Sequence, residues 1–114
     1  MNSRRLCLAL DLVDDAELIA QYEKWHAPGA VWPEILADIR ARGILNMEIW
    51  RIGTRMAMIM DVDEGYPRFE ANAPRVKEWE VLMSKFQQPL PNTNPAEKWA
   101  PMTRIFALND SAEP

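Results

Sequence analysis

Two runs of strict alternation, ILNMEIWRI (44–52) and RMAMIMDV (55–62), stand on either side of Gly53-Thr54. Alternation with a period of two is the signature of a β-strand, and a two-residue turn containing glycine closes two such runs into a hairpin. A third run, RLCLALDL (5–12), sets Leu6, Leu8, Leu10 and Leu12 on one face and Cys7, Ala9 and Asp11 on the other. Between this strand and the hairpin the period changes to that of a helix. Asp14 and Asp15 suit the free N–H groups of a helix start, and Leu18, Tyr22 and Trp25 form its inward stripe, with Ile19 and His26 beside it. Pro28-Gly29 ends it. A second helix is expected to start near Trp32, with Pro33 in the first turn, where its missing N–H costs nothing, and to close at Gly43.

Past the hairpin, a short turn of helix is expected around Phe69. A longer helix starts at Pro74, with Val76, Trp79, Met83 and Phe86 on one stripe. Residues 87–101 hold four prolines and a lone tryptophan, Trp99, and read as a long loop suited to a lid or a partner contact. MTRIFAL (102–108) reads as a last short strand, and the tail from Asn109 is polar and expected to fray. The order β, helices, β, β, helices, β predicts an α+β fold: a ferredoxin-like four-stranded antiparallel sheet with helices on one face. The other face is apolar enough to need a second subunit or a ligand.

The length of 114 residues fits a single domain with an ordered core over about 5–108, and a hydrophobic share of 48% is ample for that core. A net charge of −4 argues against a nucleic-acid partner, which demands a basic surface. No segment approaches the roughly 20 apolar residues of a membrane span, so no membrane association is expected. Arg4 and Arg5 precede an apolar run as in a signal peptide, but Asp11 interrupts that run and no small-residue cleavage site follows. The single cysteine, Cys7, fits a reducing cytoplasm and reads as a small core residue rather than a nucleophile. Met56, Met58 and Met60 share one strand face, where core filling explains them better than soft-metal ligation, so no metal site is expected.

The chemistry gathers in YEKWHAPGAVWPE (22–34), which holds the one histidine, His26, with Trp25 and Trp32 nearby. Histidine both gives and takes protons near neutrality. Tyr22 lies four residues before it, one helical turn away on the same face. A half-buried histidine in an aromatic cluster is the plainer account of this stretch; a proton carrier in a small apolar pocket is the functional one.

On these residues the chain resembles the L-rhamnose mutarotase family, small dimers of the α/β-barrel type, over about residues 5–108. The most specific matches are Tyr22 and His26, Trp32-Pro33-Glu34, Gly43 and Trp79. The resemblance implies that Tyr22 binds sugar, that His26 is the proton donor and that Trp79 lines the site. It also implies a homodimer, a monosaccharide substrate and no cofactor. Where the family usually carries a second tryptophan this chain has Glu80, and the family's sugar-contacting tyrosine of the second strand falls on Met47. The loop between His26 and Trp32 is about two residues longer. MEIWRIG (47–53), MIMD (58–61), EWE (78–80), QQPLP (87–91) and EKW (97–99) are more similar to relatives associated with L-fucose use.

A mutarotase opens a pyranose ring to the aldehyde and recloses it on the other carbonyl face. One group able to shuttle protons at pH 7, helped by a second polar group, suffices for about 10²–10⁴-fold acceleration. His26 is expected to carry this, with the Tyr22 hydroxyl as helper, while Trp79, Trp50 or Trp99 packs on the sugar's apolar face. Glu34, Glu48 and Glu80 are candidate acceptors for sugar hydroxyls. Glu34 also suits the helix dipole, and Glu48 points opposite to Met47 and Ile49, so only one of those strand faces can meet the pocket. Two other readings stay open on the same architecture: a cofactor-free monooxygenase or haem-degrading enzyme, and a non-catalytic dimeric sugar-binding module.

Overall fold

The structure, a computed structural model, describes residues 4–68, 74–94 and 97–111. The elements run β1 (Arg4–Leu12), α1 (Ala16–Trp25), α2 (Pro33–Ala41), β2 (Ile44–Ile52), β3 (Arg55–Val62), α3 (Pro74–Ser84), β4 (Gln87–Gln88), β5 (Ala100–Pro101) and α4 (Leu108–Ser111). The strands form one antiparallel sheet in the order β2-β3-β1-β4, with β5 also on β1. The expected α+β architecture is therefore present, with the central hairpin β2–β3 and its turn at Gly53 where the alternation placed them.

Cross-strand partners share a face. The register sets Leu10 opposite Met56, Leu8 opposite Met58 and Leu6 opposite Met60, with Ile49 and Met47 continuing the rows on β2. This is the face the helices cover. Leu10, Leu12 and Met56 pack with Tyr22, Ile35, Val76, Trp79, Met83 and Phe86 in the main core. A second cluster, Ile44, Met60 and Val62, is flanked by Leu6, Leu8, Met47 and Met58. The methionine row is thus core filling, as its spacing predicted. A bulge between Ile44 and Asn46 shifts the pairing, so Ile44 and Met47 both face the helices although they stand three positions apart.

The helix ends follow local chemistry. Asp15 caps α1, its Oδ1 accepting the Leu18 N–H at 3.0 Å. Pro33 is in the first turn of α2. Gly43, with φ +99°, turns the chain from α2 into β2, a backbone conformation that calls for glycine, and a Cβ there would also push aside the Asp63 carboxylate.

Three expectations are corrected. MTRIFAL (102–108) is not a strand. The outer edge of β1 is instead paired by the two ends of the proline-bearing loop, Gln87–Gln88 on Leu12 and Asp11, and Ala100–Pro101 on Ala9 and Leu8. The Met102 N–H makes one more bond to the Cys7 carbonyl (2.8 Å), after which residues 102–107 carry no regular structure. The start of the tail is not frayed, since Leu108–Ser111 forms a turn of helix. Phe86 lies beyond the end of α3, although it is fully buried in the same core. The turn of helix expected around Phe69 falls outside the described residues.

Candidate active site

His26 is the C-cap residue of α1. Its ring folds back along the helix, so that Nδ1 lies 2.7 Å from the backbone carbonyl oxygen of Tyr22. A carbonyl only accepts, so Nδ1 carries the hydrogen and donates it. In the neutral ring Nε2 is then the nitrogen with the lone pair, and it is the one left to exchange protons with a ligand. The ring is half-buried. Burial holds its pKa below the ordinary histidine value, with the bond to the Tyr22 carbonyl opposing that shift. Near neutrality His26 is therefore unprotonated and basic.

The Tyr22 ring lies beside it, with centroids 4.4 Å apart, and meets Phe86 edge-on at 5.8 Å. Tyr22 is buried, and its Oη accepts a hydrogen bond from Gln87 Nε2 at 3.2 Å. Burial raises the phenol pKa above 10, the Gln87 bond works against that, and the Glu80 carboxylate adds to it. Tyr22 thus keeps its proton at neutral pH. The hydrogen-bonded link between the pair runs from the imidazole to the Tyr22 main chain, leaving the hydroxyl to Gln87.

Trp79, on α3, meets the His26 ring edge-on at 5.8 Å. Behind it stand Trp32 at 5.1 Å and Trp25 at 6.2 Å, both near perpendicular. The Arg75 guanidinium lies 3.8 Å from the Trp32 ring centroid, and also pairs with Glu34 (3.6 Å) and Glu78 (3.3 Å). Trp25 and Trp32 therefore brace Trp79, and Glu34 serves this bracing on the outside.

Tyr22, His26 and Trp79 line a cavity of about 550 Å³, within the usual size range of small-molecule sites. Met47, Glu80 and Trp99 line it as well, so six of the nine site candidates named from the sequence converge there, with Glu34 and Glu48 outside it. Trp50 is outside it too. It alternates with Ile49 on β2 and so faces the opposite side of the sheet, 62% exposed, with its Nε1 donating to Glu48 Oε1 at 2.9 Å. The same parity takes Glu48 away from the cavity. Glu80 is exposed but tethered: Lys98 Nζ reaches its Oε2 at 3.3 Å and Ser84 Oγ at 2.9 Å, which ties the loop carrying Trp99 to α3.

Ile49, Met58, Met83, Gln87 and Lys98 also line the cavity and were not singled out. Strand parity with Met47 was available to find Ile49. Gln87 and Lys98 sit in a stretch without period, where no spacing signals a face. Among the described residues no group of three or more His, Cys, Asp or Glu is placed to hold a metal ion, and no helix is long and apolar enough to cross a membrane.

Comparison with known proteins settles the class. A family model described as L-rhamnose mutarotase matches residues 5–108. The chain belongs to the L-rhamnose mutarotase family. It is an isomerase, and its class of reaction is the interconversion of sugar anomers. It is 48% identical to an L-fucose mutarotase of Xanthomonas campestris pv. campestris, over 97% of this chain and 93% of that one. It is 34% identical to a UPF0734 protein of Dictyostelium discoideum, over 89% and 86% of the two chains. The crystal structure of an L-rhamnose mutarotase from Formosa agariphila superposes with a TM-score of 0.68 at 20% identity, over 92% of this chain and 98% of that one. At that identity the match speaks for the family's fold.

Proposed function

We propose that the chain interconverts the α and β anomers of a 6-deoxy-hexose, favouring L-fucose over L-rhamnose, with His26 as the proton carrier and Tyr22 assisting. The observation that carries this is the bond from His26 Nδ1 to the Tyr22 carbonyl, which leaves a basic Nε2 on a residue of the cavity wall. Nε2 takes the proton of the anomeric O1 hydroxyl, and the imidazolium so formed gives it to the ring oxygen as the C1–O5 bond breaks. O1 becomes the aldehyde oxygen and O5 a hydroxyl. Rotation about C1–C2 presents the other carbonyl face to O5, and the same transfers in reverse reclose the ring. The phenol of Tyr22, protonated at neutral pH, supplies a hydrogen bond to an oxygen whose charge changes. Trp79 and Trp99 offer apolar surface to the C–H face of the sugar.

Two observations support L-fucose. One is the 48% identity to a protein named for that sugar. The other is Glu80 at the cavity wall, an acceptor with a negative charge. The two sugars share a 6-deoxy methyl group and differ in the orientation of the hydroxyls at C2 and C4. A carboxylate discriminates between such hydroxyls by the charge-assisted hydrogen bonds it accepts from those oriented toward it, and Glu80 is held at the wall by Lys98.

The enzyme acts as a cytoplasmic homodimer in this proposal. With helices over the leucine–methionine face, the opposite sheet face is the one left for a second copy. Trp50 and Ile52 are exposed there, and Ile105, Phe106 and Leu108 are exposed in the segment that leaves β5. Apolar area of this kind is seldom left to water. NMR exchange between anomers, measured over a panel of 6-deoxy sugars with and without protein, tests the activity. No acceleration for any of them overturns it.

A further inference from the structure

Gln87 holds a position that the proton transfers leave unused. Its backbone is fixed by the pairing of β4 with Leu12, next to the fully buried Phe86. Its side chain lines the cavity, with Nε2 donating to Tyr22 Oη at 3.2 Å. The other end of the amide, Oε1, is the one buried side-chain polar atom without a hydrogen-bond partner among the described residues. Buried amide oxygens are nearly always paired, so an unpaired one beside a ligand cavity calls for an account.

A terminal amide turns about its last torsion with a broad, two-fold profile. Oriented with Nε2 toward Tyr22, it makes Oη an acceptor, and the phenol hydrogen points elsewhere. Turned over, Oε1 accepts that hydrogen, and Tyr22 offers a ligand lone pairs alone. In the observed orientation the Oε1 end has no protein partner, so only the bond from Nε2 to Tyr22 Oη holds the amide this way round.

We propose that Gln87 is a positioning residue whose amide orientation sets whether the Tyr22 hydroxyl donates a hydrogen bond to a sugar oxygen or accepts one from a sugar hydroxyl. The sugar mutarotase reading above underlies this inference. Ring opening adds a proton to O5 and removes one from O1, and reclosure does the reverse. A hydroxyl able to change sides between donor and acceptor assists both halves of that cycle, whereas a phenol locked in one sense assists one.

The test is Gln87→Met and Gln87→Glu, alone and combined with Tyr22→Phe. Methionine matches the length and makes no such bond; glutamate accepts but does not donate when ionised. If one variant does not fold by circular dichroism, the other still reads out. Each single variant is expected to lower kcat for anomer exchange by about tenfold with KM changed less than about threefold, the pattern of an interaction made chiefly in the transition state. In ultraviolet titration the Tyr22 phenol, identified by its loss in Tyr22→Phe, should ionise at higher pH in both variants, a change that simple loosening of β4 does not cause. Combined with Tyr22→Phe, the Gln87 losses should largely disappear. An unmoved phenol titration, or losses that multiply with that of Tyr22→Phe, overturns the inference while leaving the mutarotase reading intact. A wild-type protein without anomer exchange overturns both.

Discussion

The Nδ1 of His26 is hydrogen-bonded to the main-chain carbonyl of Tyr22, 2.7 Å away and one helical turn earlier. The helix thus uses its own C-terminal end to choose the tautomer of the ring. The Tyr22 carbonyl, in the last turn of α1, takes the imidazole hydrogen, and the opposite nitrogen becomes the base. Trp79, braced by Trp25 and Trp32, meets the ring edge-on, so its orientation is held from two sides.

The pH response follows from the burial of that ring. Its pKa is lowered from 6.5, chiefly by loss of solvent. The unfolded chain therefore binds a proton at a pH where the native one does not. His26's contribution to stability is fully present above about pH 6.5 and is lost as pH falls through the native value. As the only histidine, it gives isolated ring signals in NMR. Their titration midpoint is expected below 6.5, with exchange activity sustained into that range; a midpoint above 6.5 contradicts the burial argument.

Glu80 is expected to set sugar preference. Wild type should exchange L-fucose anomers faster than those of L-rhamnose, and Glu80→Gln or Glu80→Trp should erode the ratio severalfold, about the worth of one charge-assisted hydrogen bond. Because Lys98 bonds Glu80 and Ser84, Lys98→Met should raise KM for both sugars by loosening the loop that carries Trp99. Rate ratios for the two sugars check this. A wild-type preference for L-rhamnose, or a ratio untouched in Glu80→Gln, would place Glu80 among ordinary surface charges.

The open sheet face makes a separate prediction. Light scattering at micromolar concentration should return twice the 13.2 kDa chain mass. Trp50→Asp with Ile105→Asp, two exposed positions outside the cavity, should shift the protein toward monomer. A wild-type monomer mass counts against the homodimer.

How much of this was legible in the sequence depended on the length of each pattern. Runs of eight or nine alternating residues placed β1, β2 and β3 to within a residue, and Asp15, Pro33 and Gly43 marked helix ends through their own chemistry. β4 and β5 have two residues each, too short for any period, whereas MTRIFAL alternates well enough to read as a strand and is not one. His26 and Tyr22 could be paired by helical spacing, but the spacing did not say that the bond would reach the Tyr22 main chain. Trp50 was misplaced although strand parity with Met47 already sent it to the other face. Gln87 owes its place to the fold alone, through the pairing with Leu12 that brings it over the Tyr22 hydroxyl.

The central claim is that His26 carries the protons. NMR magnetisation exchange between the anomers of L-fucose, recorded with wild type and with His26→Ala at equal concentration, tests it most directly. The expected result is a fall of at least about a hundredfold in the protein-dependent exchange rate, with the circular dichroism spectrum retained. A folded His26→Ala protein that exchanges anomers at the wild-type rate would contradict the account.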